Sequence, residues 1–278
     1  MIQKRTILIS NQNAQLQEQN KKIAQQYKEI KQSMTYAKRL QNAILPNKYK
    51  FSSVFKDHFI LYKPRDIVSG DFYWISEKRK KTYIVTADCT GHGIPGAFLS
   101  MLGISFLNQI VSKNHDISPH DILHKLGLLF SETINNHDDH MTRDSMDISV
   151  CLIDHSSKTM EYAGAYNPIY IIRNHELYEL TVDKFSLHKD YAAEMPKFTN
   201  KIFTLQENDK VFMFTDGYAD QFGGDLNKRF SKRRFKQILT SSSNKSMPKQ
   251  KSILEETHET WKGKQEQVDD ILILGFEI

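Results

Sequence analysis

Residues 71–97 read DFYWISEKRKKTYIVTADCTGHGIPGA, and this stretch decides the fold. Two apolar runs flank the charged segment EKRKK, which predicts a β-hairpin. A turn centred on residues 79–80 places Asp71 directly opposite Asp88. Two glycines that bracket His92 then let the chain turn sharply into a helix. The hairpin therefore carries two carboxylates to the same end of a sheet.

Two opposed carboxylates on one sheet face repel each other and destabilise the strand pair. They must share a proton or a cation, unless they serve only as turn residues. Two further strands have acidic ends. KVFMFTDG ends a strand at Asp216, and DDILILGFE begins one after Asp269 and Asp270. The sequence thus supplies four acidic strand ends.

Oxygen ligands of this kind suit hard cations such as Mg²⁺ or Mn²⁺. Two such ions can bind a phosphate and activate a water molecule, so the pattern predicts a phosphoryl-hydrolysis site. The sequence contains neither a Walker phosphate loop nor a cysteine–histidine zinc spacing. The residues alone do not choose the substrate.

Many short strand patterns and few helical ones predict an α+β fold of antiparallel sheets with helices packed outside. The predicted strands are HFILY, DFYWIS, TYIVTAD, DISVCLI, KTMEYAGA, PIYIIR, ELYEL, KIFTL, KVFMFTD and ILILGFE. Helices are predicted over residues 95–112 and 118–136 and as a pair around 232–262. TSSSNKSMPKQK, residues 240–251, is predicted to be a loop.

The segment 12–46 differs from the rest in being rich in Gln, Lys and Glu and free of glycine. Apolar residues recur in it at the spacing of a heptad repeat. They are Leu16, Ile23, Ile30, Ala37 and Ile44, with Tyr27 and Met34 on the adjoining stripe and Asn13, Asn20 and Gln41 as polar interruptions. We predict a helical segment over 1–45 that forms a parallel homodimeric coiled coil, followed by one domain over 46–278. A single amphipathic helix lying on the domain is the alternative.

The composition is that of an ordinary soluble protein, with 278 residues, 39% hydrophobic, and a formal charge of +5. This charge calls for no nucleic-acid partner. Two cysteines, no apparent secretory signal and no disulfide framework favour a cytoplasmic location. The apolar run 94–111 contains polar residues, so we expect a buried helix and not a membrane span.

Four motifs, in this order, resemble the type-2C, metal-dependent (PPM) Ser/Thr protein phosphatases, specifically their bacterial SpoIIE-like branch. They are SGDFY (69–73), DCTGHG (88–93), TDG (215–217) and DD (269–270), and the likeness extends over about residues 45–278. Ser69 replaces a glycine of the branch, and Tyr166 replaces a histidine in YAGAYNP (162–168).

The resemblance implies a two-layer antiparallel β-sandwich flanked by helices, with two Mn²⁺ or Mg²⁺ ions at one end. It implies Asp88 as a bridging ligand, the Cys89 backbone carbonyl as another, and Asp71, Asp216 and Asp269 as the rest. Water activated by the ions would then attack a phosphoserine or phosphothreonine. In this branch the substrate is usually an anti-sigma-factor antagonist, and entering helices often relay a regulatory signal.

Several positions have two interpretations. His92 either assists at the phosphate or shapes the glycine turn, and Arg65 either binds a phosphate oxygen or is a surface residue. Asp147 is expected to end a strand. The basic segment 227–237 is a solvated helix face, a docking patch for an acidic protein, or, as the least favoured choice, a nucleic-acid site. For the whole chain, a non-catalytic binding module is the main alternative to a phosphatase, and a nucleotide hydrolase or cyclase is a third.

Overall fold

The structure is a computed structural model that describes residues 2–114, 116–134, 144–188, 190–194 and 196–278. The helices are α1 (Ile2–Ile44), α2 (Lys48–Ser52), α3 (Ile94–Lys113), α4 (Pro119–Ile134), α5 (Tyr191–Glu194), α6 (Gly217–Asp220), α7 (Lys232–Ser241) and α8 (Met247–Lys262). The strands are β1 (His58–Lys63), β2 (Phe72–Lys78), β3 (Lys81–Cys89), β4 (Ser145–Asp154), β5 (Thr159–Ala165), β6 (Ile169–Arg173), β7 (Glu176–Leu180), β8 (Leu187–His188), β9 (Lys201–Thr204), β10 (Lys210–Phe214), β11 (Phe222–Gly223), β12 (Lys228–Arg229) and β13 (Ile271–Glu277). Each strand predicted from the sequence is present.

Within the described residues, the long strands form two antiparallel sheets. The first has the order β1-β13-β10-β6-β7, and the second has the order β2-β3-β4-β5-β9 with β8 beside the start of β4. Helices α3 and α4 pack on the second sheet, and α7 and α8 pack on the first. The predicted α+β sandwich flanked by helices is therefore confirmed. Its main core lies between the sheets, and a second apolar cluster lies under α7 and α8.

The hairpin of β2 and β3 has the predicted register. Phe72 pairs with Ala87, and Lys78 pairs with Lys81 across the two-residue turn. Asp71 immediately precedes β2 and Asp88 is the penultimate residue of β3, so both lie at the same end of the second sheet.

Helix α3 is long and apolar enough, by length and composition, to cross a membrane. Half of its most apolar window is buried inside the protein, where the helix packs on β2 and β3. Pro95 lies in its first turn, where a missing N–H costs no helical hydrogen bond. Its placement is that of a core helix, as the polar residues in the run predicted.

The prediction of a loop over residues 240–251 is wrong at both ends. Helix α7 continues to Ser241, and α8 begins at Met247 after the N-cap Ser246. Pro248 lies in the first turn of α8, where its fixed φ favours a helix. The two ends of α4 lie within two residues of the prediction, and residues 135–136 lie outside the described residues.

His258 on α8 is a buried ionisable group in the second apolar cluster. It is 3% exposed, its ring centroid lies 5.4 Å from that of Tyr218, and neither ring nitrogen has a hydrogen-bond partner among the described residues. Burial, together with the charges of Lys63 and Lys262, lowers the pKa of His258 from 6.5 to about 4. The nearby Glu259 carboxylate, 3.8 Å away, does not offset these effects.

This burial predicts a loss of stability in acid. The unfolded chain takes up a proton on this imidazole below about pH 6.5 and the folded chain does not, so stability present at neutral pH is lost as the pH falls towards the folded pKa. His258→Phe, which keeps the aromatic packing, should remove about 2 kcal/mol of the loss between about pH 6.5 and pH 4.5. Urea unfolding of both proteins at the two pH values measures it. If the free energy of unfolding changed equally with pH in both proteins, His258 would not be the source of the acid sensitivity.

Candidate metal centre

Each sheet brings two aspartates to the same end of the sandwich. In the second sheet, Asp71 and Asp88 flank the open end of the β2–β3 hairpin. In the first sheet, the end of β10 lies beside the start of β13, where Phe214 pairs with Ile273. Asp216 follows β10 and Asp269 precedes β13, so antiparallel pairing places them together. Four acidic strand ends that are far apart in sequence thus meet at one edge of the fold.

The mutual repulsion of these carboxylates appears in their pKa values. Burial raises the pKa of Asp71 well above its usual range, and the Asp88 charge raises it further. Burial also raises the pKa of Asp88 strongly, followed by the charges of Asp216 and Asp269. These electrostatic effects agree with the placement of the hairpin pair and the β10–β13 pair at the same end of the sandwich.

Asp216 and Asp269 are less deeply buried than Asp71 and Asp88, and their pKa values are also raised. Burial, followed by the charges of Asp220 and Asp269, raises the pKa of Asp216 to about 6. The pKa of Asp269 is also raised, mainly by burial. Burial and mutual repulsion therefore disfavour the ionised forms of these four carboxyl groups.

Few donors compensate these charges. The Thr215 hydroxyl donates to Asp71 Oδ2 at 2.6 Å, and the Asp270 N–H donates to Asp269 Oδ1 at 2.8 Å. Among the described residues, no lysine or arginine side chain forms an ion pair with Asp71, Asp88, Asp216 or Asp269. A divalent cation would supply the missing positive charge.

The backbone around Gly70 and Cys89 is packed too closely for side chains. A Cβ added to Gly70 would lie 2.7 Å from the Gly91 carbonyl oxygen and 2.8 Å from that of Cys89. Gly91 itself has φ +87°, a conformation that favours glycine. The turn therefore holds the Cys89 carbonyl beside Asp71 and Asp88. The Cys89 thiol is buried, and burial raises its pKa well above the usual range, so it remains a neutral apolar group.

An open pocket of about 290 Å³ lies over this end of the sandwich. Its lining residues are Arg65, Asp88, Cys89, Thr90, Gly91, His92, Ser145, Asp147, Ser186 and Asp269. The volume is sufficient for hydrated ions and a phosphoryl group. Asp71 lies below the pocket, at 1% exposure.

Arg65 and His92, the two predicted auxiliary residues, both line the pocket. The Arg65 Nη1 donates to the Val268 carbonyl at 3.0 Å, and the guanidinium lowers the pKa of Asp269. The His92 Nδ1 lies 2.7 Å from the Asp66 carboxylate, which orients the imidazole at the pocket rim. Both side chains are exposed and lie at the rim of the pocket.

Asp147 is a pocket residue that the sequence analysis did not select. It lies within β4 and its Cα pairs with that of Asp88, so it does not end a strand as predicted. The Ser186 hydroxyl donates to its carboxylate, and burial raises its pKa. Asp88 and Asp147 are 59 residues apart, and only the β3–β4 register shows that they are neighbours. The sequence alone therefore gives no sign of this contact.

Asp270 has a structural role beside the centre. Its carboxylate accepts the N–H groups of Arg65 and Gly70, both at 2.7 Å, and it is 3% exposed. These bonds fix the loop that leads into Asp71. Asp270 therefore acts as an anchor, which agrees with the choice of Asp269 over Asp270 as the ligand.

Helix α1 reaches the centre through a buried glutamine. The Gln41 Nε2 donates to the Ser69 carbonyl at 2.6 Å and to the Ser100 hydroxyl at 2.9 Å, and its Oε1 accepts the Ser69 N–H. Ser69 in turn accepts the Asp71 N–H through its hydroxyl at 3.1 Å. The polar interruption of the heptad repeat at position 41 is thus a link between the long helix and the Asp71 loop.

The residues present fit Mg²⁺ or Mn²⁺ by the chemistry of their donors, which are carboxylate and carbonyl oxygens. In the part of the chain that the structure describes, no three Asp, Glu, His or Cys side chains already enclose one point as a complete ligand set. Mg²⁺ usually keeps several waters and takes only one or two carboxylates, so an open set suits it. A structural zinc site, in contrast, requires a closed tetrahedral set.

Comparison with known proteins places the chain among phosphatase domains. The sequence profile of the Stage II sporulation protein E (SpoIIE) family matches residues 78–278. The structure is similar to the SiaA-PP2C domain of Pseudomonas aeruginosa, with 29% identity and a TM-score of 0.82 over 90% of this chain and 98% of that one. No curated protein matches the sequence.

Two more distant likenesses concern the fold alone. The PP2C phosphatase domain of SpoIIE from Bacillus subtilis, solved with a fragment of its regulatory domain, has 17% identity and a TM-score of 0.65 over 80% of this chain and 63% of that one. RsbX, solved in complex with magnesium, has 14% identity and a TM-score of 0.53 over 80% of this chain and 94% of that one.

The charge repulsion at the centre predicts a stability effect that does not depend on activity. Without metal, Asp88→Asn should raise Tm by ~2–4 °C, because it removes one of several mutually repelling carboxylates. Mn²⁺ should raise the Tm of the wild type and of the exposed-loop control Asp225→Asn, and have little effect on Asp88→Asn. Thermal unfolding with EDTA and with Mn²⁺ tests this. An equal Mn²⁺ response in all three proteins would exclude Asp88 as a ligand.

Proposed function

We propose that this chain, which belongs to the SpoIIE family of PP2C-type (PPM) phosphatases, is a metal-dependent protein phosphatase that hydrolyses phosphoserine or phosphothreonine on a regulatory protein. One observation carries the proposal. Two sheets bring Asp71, Asp88, Asp216 and Asp269 to one end of the sandwich, where Asp88 and Asp269 line a pocket and none of the four forms an ion pair with a described lysine or arginine.

In this proposal Asp88, the Cys89 carbonyl, Asp71, Asp216 and Asp269 would hold two divalent ions, with Asp88 as the shared ligand. Mn²⁺ or Mg²⁺, when bound, supplies charge neutralisation of the phosphoryl group and activation of water. The protein contributes position and electrostatics, since buried, fixed carboxylates need no reorganisation during the reaction.

Arg65 and His92 would act on the substrate from the pocket rim. The Arg65 guanidinium can bind phosphate oxygens in a bidentate manner, which a lysine cannot reproduce. The Asp66 contact engages His92 Nδ1, which leaves Nε2 as the atom that can hydrogen-bond a phosphate oxygen or the leaving serine. The same contact also braces the turn between Gly91 and Gly93, so the two interpretations of His92 are compatible.

The substrate that we propose is a phosphorylated regulatory protein of the anti-sigma-factor-antagonist type, by similarity to the SpoIIE-like branch. The pocket supports a protein substrate because it opens to solvent and its lining residues are mostly polar. A cytoplasmic location goes with this proposal. The two cysteines, Cys89 and Cys151, are free and buried.

The direct test is phosphate release from a phosphoserine peptide with Mn²⁺. The wild type and Asp225→Asn should be active, EDTA should abolish activity, and Asp88→Asn should lose ~10²-fold or more of kcat, as expected when a principal electrostatic group is removed. Full activity of Asp88→Asn would refute the mechanism. A wild type that binds the phosphopeptide without hydrolysing it would establish the non-catalytic binding module instead.

Arg65→Lys tests the phosphate contact separately. We expect KM for the phosphoserine peptide to rise about three- to tenfold with little change in kcat, because a point charge replaces a planar fork. Arg79→Lys, in the exposed β2–β3 turn, is the matched control. Unchanged KM in Arg65→Lys would remove Arg65 from substrate binding.

We also propose that α1 forms a parallel two-stranded coiled coil with a second copy of the chain. The helix is 43 residues long, and its apolar stripe is open to solvent, with Leu16 at 55%, Ile23 at 62% and Ile30 at 57% exposure. A solitary helix with an exposed apolar stripe is marginal in water, and a second copy offers the same stripe for packing. A change in that packing would be felt at Asp71 through Gln41 and Ser69.

Polar substitution of the stripe tests this assembly. Leu16→Asn together with Ile23→Asn and Ile30→Asn should convert a dimer into a monomer, because each change places an amide in the seam. Light scattering after size-exclusion chromatography gives the mass. Gln25→Asn with Gln32→Asn, on the opposite face of the helix, should remain dimeric. A monomeric wild type would leave α1 without this role.

A further inference from the structure

The basic segment 227–237 lies on the surface beside the metal centre and has two distinct faces. Phe230 and Phe235 are buried in the cluster under α7 and α8. Lys228, Arg229, Lys232 and Arg233 point to solvent. We call these four exposed cations the basic rim.

The basic rim is held rigidly to the element that follows Asp216. The Ser231 N–H donates to the Ala219 carbonyl of α6 at 2.7 Å, and the Phe230 N–H donates to the Gln221 carbonyl at 2.8 Å. Helix α6 begins at Gly217, immediately after Asp216. The rim and the aspartate therefore have a fixed separation.

Arg234 stabilises the backbone of the basic rim through contacts with Trp261 and Phe230. Its guanidinium stacks over Trp261, 4.4 Å from the ring centroid, and donates to the Phe230 carbonyl at 3.1 Å. This arginine is occupied with structure. The neighbouring cations are left to face the solvent.

The rim is only partly neutralised by the protein. Arg229 pairs with Asp220 at 3.1 Å, and at the far side of α7 Lys236 pairs with Glu179 at 2.7 Å. For Lys228, Lys232 and Arg233, no carboxylate of the described chain lies within ion-pair distance. These three cations are therefore available to pair with an acidic ligand.

The rim borders the catalytic pocket. Helix α7, which begins at Lys232, packs against α6, which begins directly after Asp216. An extended peptide advances about 3.3 Å per residue. A substrate whose phosphorylated residue occupies the pocket would therefore carry its neighbouring residues across the rim.

We propose that the basic rim binds acidic residues that flank the phosphorylated serine or threonine of the protein substrate. This inference rests on the proposed phosphatase function and specifies its substrate class. Leu226, at 74% exposure, lies on the same hairpin and offers an apolar contact beside the charges. The rim selects by charge, whereas the ions and Arg65 act on the phosphate itself.

A nucleic-acid ligand fits this surface less well. Its continuous phosphate backbone would have to pass over the carboxylates of the adjacent pocket, which repel it, and the whole chain carries a net charge of only +5. A protein segment with a local acidic cluster avoids that repulsion because its charge is confined to the rim.

The test compares two phosphoserine peptides of equal length, one with Asp and Glu neighbours and one with Ala neighbours, and para-nitrophenyl phosphate. Lys228→Glu with Arg233→Glu should raise KM for the acidic peptide about tenfold with kcat retained, since attraction becomes repulsion at two positions. KM for the neutral peptide and rates on para-nitrophenyl phosphate should be unchanged. Added salt should reduce the wild-type preference for the acidic peptide. Lys113→Glu with Lys249→Glu, an equal charge change at exposed lysines elsewhere, is the control.

Three outcomes overturn the inference, and they are distinguishable. A wild type that hydrolyses both peptides with equal KM leaves the phosphatase in place and removes the rim from substrate binding. Duplex DNA that competes with the acidic peptide at equal charge concentration assigns the surface to nucleic acid. Absence of hydrolysis of all three substrates with Mn²⁺ ends the proposed function, and the inference with it.

Discussion

The fold brings four carboxylates close together, and the properties of the site follow from their mutual repulsion. Asp71 is almost fully buried, Asp88 lies beside it, and Asp216 and Asp269 face them from the other sheet. Burial and repulsion each raise the pKa values of these groups, so the metal-free centre is an unfavourable arrangement at neutral pH. Hard divalent cations reverse the sign of that interaction. The repulsion among these carboxylates would therefore also favour the binding of a divalent cation.

The surrounding contacts hold the four aspartates in place. Gly70 allows the Cys89 carbonyl to approach closely, and Asp270 fixes the Gly70 and Arg65 amides. Gln41 connects the same loop to α1. The contacts that hold the ligands thus come from a turn, from the start of β13 and from the long helix. A signal that moves the helix would act on the centre through few hydrogen bonds.

Local patterns predicted much of the fold. The β2–β3 register follows from the two-residue turn at Arg79, and the strands follow from their alternation and length. The pairing of strands that are distant in sequence does not follow from such local patterns. Nothing in the sequence near Asp147 indicates that β4 lies against β3. Gln41 seemed a defect in the heptad, since its hydrogen-bond partners at Ser69 and Ser100 are remote in sequence. The family motifs selected the four aspartates, but only the sheets explain why they meet.

The central claim is that the four aspartates hold divalent ions, and anomalous diffraction from crystals grown with Mn²⁺ tests it most directly. The account predicts strong anomalous peaks in the pocket, next to the Asp88 carboxylate, with Asp216, Asp269 and the Cys89 carbonyl among the ligands and Asp71 in contact directly or through water. Peaks elsewhere on the protein, with Asp88 free of metal in well-ordered density, would contradict it.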